Sequence, residues 1–120
     1  MRVAMVAVAG AVGALCRYGI GAAFGSDRFP WATLAVNLIG SLLLGALLGA
    51  RPTWLSDDAV VAASVGFLGA FTTFSTFGFE TQALVRDGRT AAALAYLATS
   101  VGAGVFLAAL GWSLGRSVAR

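Results

Sequence analysis

The chain has 120 residues, of which 59% are hydrophobic and only 11% are charged, and its mean hydropathy is +0.89. A soluble domain of this size does not carry so large an apolar share, so the composition predicts one membrane domain, residues 1–120, and excludes a water-soluble fold. The net charge of +3 comes from arginines without lysine or histidine, and there is one cysteine. These counts favour membrane anchoring over nucleic-acid binding and exclude a zinc site and His-based catalysis, so we expect no enzyme.

Four apolar spans follow one another, at roughly residues 3–24, 31–50, 59–85 and 90–115. Each is close to or longer than the roughly 20 residues that cross a bilayer as a helix. Short connections containing Pro30, Pro52 and Gly88 separate the spans. The fold class is therefore predicted to be an all-α membrane protein with four transmembrane helices, placed as a multi-pass protein in the cell membrane.

The first two spans each carry a ridge of small and polar residues at every fourth position. In the first span Arg17 lies between Gly13 and Gly21 at i, i+4 spacing. This permanent cation either reaches out to lipid headgroups or draws anions into a vestibule. In the second span the ridge consists of Thr33, Asn37, Ser41, Gly45 and Gly49, and Asn37 is its most informative member. A carboxamide within a membrane is often functional, and the alternative is a hydrogen bond between helices.

The third span contains the densest group of polar and aromatic residues, between residues 66 and 80. On a continuous helix four phenyl rings would share one face, opposite to the hydroxyls and Glu80: Phe67, Phe71, Phe74 and Phe77. Gly69 precedes the hydroxyl residues Thr72, Thr73, Ser75 and Thr76, and the β-branched pair lowers helix propensity. We therefore predict that this helix is broken near its middle. An unwound turn in a bilayer is buried or lines a cavity, which indicates a site or pore; the alternative is a tight helix contact.

The fourth span adds two more hydrogen-bond donors, Tyr96 and Ser100, which lie one helical turn apart. The alternative is that these residues serve only helix packing. Glu80 is the candidate acid within a span, and the other three spans lack a carboxylate. A proton-coupled cation exporter needs an acid deep in a span. Hydrogen-bond donors and electropositive phenyl edges instead favour a small anion or a neutral solute.

The arginines are nearly balanced between the two sides of a four-span protein. One side holds Arg2, Arg51, Arg116 and Arg120, and the other holds Arg28, Arg86 and Arg89. Such a weak positive-inside bias favours insertion in both orientations, and thus an antiparallel dimer of two copies. The alternative is a single orientation in the membrane, set by weak differences between the two sides.

Three motifs resemble those of the Fluc (CrcB) fluoride channel family. The string Gly66-Phe-Leu-Gly-Ala-Phe-Thr-Thr-Phe-Ser-Thr-Phe77 resembles the third-helix signature. Asn37-Leu-Ile-Gly-Ser41 resembles the second-helix motif, and Gly13-Ala-Leu-Cys-Arg-Tyr18 resembles the first. The resemblance covers essentially the whole chain. It implies a fluoride-selective channel that passively exports cytoplasmic fluoride, built as an antiparallel dual-topology homodimer with two pores.

The resemblance also implies roles for particular residues. The pore and fluoride contacts would be made by Asn37, Phe74, Phe77, Thr76, Tyr96 and Ser100. Arg17 matches the vestibule arginine, and Glu80 matches an acid whose role stays open. Backbone carbonyls of Gly69 and Thr72, from both copies, would hold a structural sodium ion.

Two other functions remain open from the residues themselves. One is a small four-helix, dual-topology drug or cation exporter, and the other is a non-conducting subunit of a larger membrane complex. A heterodimer with a paired gene product is an alternative to the homodimer.

Overall fold

The computed structural model describes residues 1–25 and 28–119. Within these ranges, four helical spans are long and apolar enough to cross a membrane. They are α1 (Arg2–Phe24), α2 (Trp31–Ala50), a composite third span (Asp57–Arg86) and a final helix (Thr90–Val118). The predictions of an all-α membrane fold and of a broken third helix are confirmed.

The third span consists of several helical pieces: α3 (Asp57–Val61), a π-helical segment (Ala62–Leu68), α4 (Gly69–Phe71) and α5 (Phe74–Arg86). The final helix is α6 (Thr90–Val118). At the start of α3, the hydroxyl of Ser56 accepts a hydrogen bond from the Ala59 N–H at 3.2 Å, which is a standard N-cap. Wide π turns are rare and often lie near functional sites, and here one leads into the break.

The break lies at Thr72 and Thr73, whose backbones are extended, with φ, ψ of −86°, 161° and −154°, 123°. Gly69 keeps a helical backbone, with φ −63° and ψ −35°. Because the helix is interrupted, the phenyl rings do not form one continuous stripe. Phe67 and Phe71 stack before the break, with ring centroids 5.7 Å apart, whereas the other two rings of the series follow the break on α5.

Glycines bring α2 and α6 into direct backbone contact. A Cβ on Gly45 would overlap the carbonyl of Ala108, and a Cβ on Gly111 would overlap the carbonyl of Leu42. Lipid tails are as apolar as the side chains, so close packing rather than the hydrophobic effect holds such helices together. These glycines therefore mark the contact between α2 and α6.

Glycines also bring α1 into close backbone contact with the third span. A Cβ on Gly13 would overlap the carbonyl of Phe67, and a Cβ on Gly66 would lie 2.7 Å from the carbonyl oxygen of Val6. Helix α1 is thereby held along the π-helical segment, directly before the break.

Polar contacts connect the helices at both ends. At one end Arg2 Nε pairs with Asp58 Oδ1 at 2.6 Å, and at the other Arg89 donates to the carbonyl of Arg28. Both ends of the helical bundle thus carry arginine, as the charge balance predicted. Arg120, which entered that balance, lies outside the described residues. Insertion in both orientations stays a prediction.

The backbone contact between α2 and α6 predicts the effect of adding a single methyl group. We expect Gly111→Ala to lower the melting temperature of the detergent-purified protein by several degrees, because overpacking costs about 1–3 kcal/mol. Gly102→Ala is the matched control on the same helix. Its Cβ would meet no atom within 4 Å, so it should be neutral or stabilising, since alanine favours a helix. Equal melting temperatures for the two variants would contradict this account of the packing.

Candidate functional site

Asn37 on α2 binds both backbone polar groups of Thr73 at the break. Its Nδ2 donates to the Thr73 carbonyl at 3.1 Å, and its Oδ1 accepts from the Thr73 N–H at 2.9 Å. In a continuous helix that N–H would donate to the carbonyl of Gly69, four residues earlier. A backbone group left unbound in a membrane costs several kcal/mol, so Asn37 stabilises the interrupted helix. The carboxamide therefore makes an interhelical hydrogen bond.

Thr73 also caps α5 with its side chain. Its Oγ1 accepts from the Thr76 N–H at 3.3 Å and donates to Thr76 Oγ1 at 3.1 Å. The hydroxyl of Ser75 lies 3.3 Å from the same oxygen. Three hydroxyls thus cluster at the start of α5, where the helix dipole is positive and favours negative charge.

The carbonyls on the other side of the break have partners of different kinds. The N–H and the hydroxyl of Thr72 both donate to the Leu68 carbonyl, at 3.1 and 2.9 Å. Arg17 Nε donates to the carbonyl of Ala70 at 3.1 Å. Arg17 therefore reaches inward from α1 to the break. The carbonyl of Gly69 loses its helical donor, because the Thr73 N–H is bound to Asn37.

Glu80 lies between two hydroxyl donors from different helices. Thr33 Oγ1 on α2 donates to Oε1 at 2.9 Å, and the Tyr96 hydroxyl on α6 donates to Oε2 at 2.8 Å. Hydrogen bonds to a charged acceptor are stronger than those between neutral groups. The carboxylate thus links α2, α5 and α6, and it uses both of its oxygens to do so.

The two phenylalanines after the break have opposite environments. Phe77 is only 7% exposed, and its ring meets the fully buried ring of Tyr96 edge-on, with centroids 5.0 Å apart. Phe74 is 83% exposed, although its ring centroid lies only 5.8 Å from that of Phe77. Phe77 belongs to the core of the chain, whereas Phe74 projects from its surface.

Ser100 is the remaining residue of the predicted track on α6. Its Oγ is buried, and it has no hydrogen-bond partner within the described part of the chain. Buried hydroxyls in proteins almost always have a partner. This atom is thus a free hydrogen-bonding group inside the fold.

Two cavities meet at the break. The larger, of about 720 Å³, lies between α1, α2 and α5, and its lining includes Arg17, Thr73, Thr76 and Glu80. The smaller, of about 260 Å³, is lined by residues that include Asn37, Gly69, Thr72, Thr73 and Phe74. Thr73 lines both cavities, and Asn37 lines the smaller one.

Sequence reasoning gave no site role to three participants: Thr33, which it placed only on the α2 ridge, the Ala70 carbonyl and the Thr73 backbone. Thr33 lies one helical turn before Asn37, and this spacing on one face of α2 was the available signal. The two backbone groups carry no signal in the sequence. Their exposure follows from where the helix breaks.

Comparison with known proteins identifies relatives over almost the whole chain. Residues 4–112 match the family described as "CrcB-like protein, Camphor Resistance (CrcB)". A protein of Thermus thermophilus named "Fluoride-specific ion channel FluC" is 46% identical over 118 residues, covering 95% of this chain and 94% of the relative. A "Fluoride-specific ion channel FluC 1" of Symbiobacterium thermophilum is 44% identical over 117 residues, covering 92% and 94%. A relative of Syntrophotalea carbinolica with the FluC name is 42% identical over 123 residues, covering 98% and 100%.

The Asn37–Thr73 contact predicts how the break responds to a side-chain deletion. We expect Asn37→Ala to speed amide hydrogen exchange at the start of α5 by about tenfold or more, because an unpaired buried group costs about 1–3 kcal/mol. Ser41→Ala is the control. Ser41 lies one turn away on α2 and donates only to the Asn37 carbonyl at 2.7 Å, so its loss should leave the exchange unchanged. Exchange in Asn37→Ala equal to that of the unmodified protein would disprove the clamp.

Proposed function

The chain belongs to the CrcB family, and from this membership we propose that it is a fluoride-specific ion channel through which cytoplasmic fluoride leaves passively. It accordingly belongs with the ion channels rather than the enzymes, as a multi-pass membrane protein. The observation that carries the proposal is the Asn37-bound helix break, with hydroxyls and phenyl rings beside it.

The larger cavity is the proposed vestibule, and the hydroxyl cluster at the start of α5 is the entrance to the narrow path. A small anion sheds water only if donors replace its hydration shell. Thr76 and Ser75 supply hydroxyls, and Asn37 keeps a second Nδ2 hydrogen after binding Thr73. The electropositive ring edges of Phe74 and Phe77 add weaker contacts to the anion, and the rings carry no acceptor atom that would repel it.

The proposed path continues with Ser100 and Tyr96 on α6. The unpaired hydroxyl of Ser100 is free to donate to a passing anion. The hydroxyl of Tyr96 donates to Glu80, so it serves fluoride only when that bond is released. The donors on Glu80 also offset part of its negative charge, which would otherwise oppose an anion nearby.

A second, antiparallel copy of the chain is the proposed partner. Phe74 is 83% exposed and stands beside the smaller cavity, so a second copy would enclose the path on this side. The balanced arginines support the antiparallel arrangement, since neither orientation is strongly preferred. Two symmetric paths per dimer follow from the two-fold relation.

Gly69 and Thr72 fit the proposed structural sodium site. The Gly69 carbonyl lacks its helical donor, Thr72 is extended, and both residues line the smaller cavity. Carbonyl oxygens are the ligands that hard cations prefer, and two from each copy would make four. The ion would supply a positive charge that holds these oxygens together across the two copies.

Ion flux from liposomes tests the proposed activity. We expect purified protein to release fluoride rapidly, as read by a fluoride electrode, with negligible chloride release in a parallel assay. Absence of fluoride release from well-folded protein would overturn the channel. Proton-driven cation uptake would then support an exporter, and the absence of any flux would support a subunit role.

Two substitutions test the path within that assay. We expect Phe74→Ile and Asn37→Asp each to reduce fluoride flux by at least about tenfold, equivalent to about 1.4 kcal/mol on the barrier. The first removes the phenyl edges, and the second replaces the donor with an acceptor and adds negative charge. Phe106→Ile, at an exposed ring on α6, is the matched control and should conduct normally. Dimer formation is checked by crosslinking, and normal flux in both variants would refute the assignment.

A further inference from the structure

The larger cavity contains two levels of charge. Arg17 and Glu80 lie at the inner level, close to the hydroxyls at the start of α5, whereas Arg28 and Asp87 line its outer end. Asp87 lies seven positions after Glu80, at the C-cap of α5, which corresponds to about 10 Å along a helix. Among the described lining residues, each level therefore has one positive and one negative side chain.

Among residues 1–25 and 28–119, the inner charged side chains are bound to the fold by hydrogen bonds, and the outer ones are not. Arg17 donates to the Ala70 carbonyl, and both oxygens of Glu80 accept hydroxyl hydrogen bonds. Arg28, by contrast, is exposed and contributes its backbone carbonyl to the Arg89 contact. The side chain of Asp87 is 64% exposed and makes only a long 3.9 Å contact with Arg86 Nε. The outer pair therefore presents its charge to solvent at the cavity mouth.

We propose that Arg28 and Asp87 act as an opposed pair at this mouth that sets the rate of anion entry. Arg28 raises the local concentration of anions, and Asp87 lowers it. Charges at the rim of a cleft act strongly because the low-dielectric walls concentrate their field. This inference rests on the proposed fluoride channel and adds the residues that control access to it.

The proposal predicts effects on flux that a purely structural role for these two residues would not produce. A unit charge about 10 Å from the entering ion changes its local concentration by about twofold in water at low ionic strength. Removing Arg28 should slow fluoride entry, whereas removing Asp87 should speed it. Damage to the fold would slow entry in both variants and would persist in salt. Opposite signs that vanish with salt are thus specific to electrostatic control.

The experiment compares Arg28→Gln, Asp87→Asn and Arg116→Gln in the liposome fluoride assay. Arg116 is an exposed arginine near the opposite end of α6 and is absent from both cavity linings in the described part of the chain. Flux is measured at ionic strengths of about 0.01 M and about 1 M, set with an impermeant salt, where the screening lengths are about 30 Å and about 3 Å. Size-exclusion profiles check that all variants fold.

At low ionic strength we expect about twofold slower flux for Arg28→Gln and about twofold faster flux for Asp87→Asn. Both should converge on the unmodified protein at high ionic strength, and Arg116→Gln should match it throughout. Unchanged flux in both rim variants, changes of the same sign, or differences that persist in salt would each overturn the inference while leaving the channel standing. An unmodified protein that releases no fluoride would overturn the proposed function and this inference together.

Discussion

A helix that is interrupted within a bilayer must have its freed backbone groups bound by the protein, because no water is present to bind them. In this chain Asn37 performs that task at Thr73 with both ends of its carboxamide. Arg17 binds the next free carbonyl, that of Ala70. The freed backbone groups at the break are therefore bound by side chains from α1 and α2, in addition to the low helix propensity of the third span itself.

The side chains of Asn37 and Arg17 reach the break because the helices approach each other closely, backbone to backbone. Gly13 and Gly66 bring α1 against the π-helical segment before the break. On α2, a Cβ at Gly40 would overlap the methyl group of Thr72, so this glycine lets α2 touch the extended turn itself. The small-residue contacts thus do more than hold the bundle together. They set the distance at which Asn37 meets Thr73.

The site also has to accommodate a carboxylate close to a path proposed for an anion. Glu80 is held by the hydroxyls of Thr33 on α2 and Tyr96 on α6. This arrangement spreads the negative charge over two donors and fixes its position. At the cavity mouth, Arg28 and Asp87 have no comparable set of partners among the described residues, and their charges remain exposed. The fixed inner charges are suited to positioning an anion, and the exposed outer charges are suited to controlling its access to the cavity.

The sequence alone determined the four spans, the broken third helix and the residue types around the break, because apolar length and helix propensity are local properties. Asn37, Thr76 and Arg17 could be selected as polar residues within apolar spans, where such groups are costly. Only the tertiary structure gave the exact position of the break, at Thr72 and Thr73, and only it joined Glu80 to its two donors. Those features depend on which atoms neighbouring helices bring within hydrogen-bond distance, and no local pattern in one span encodes that.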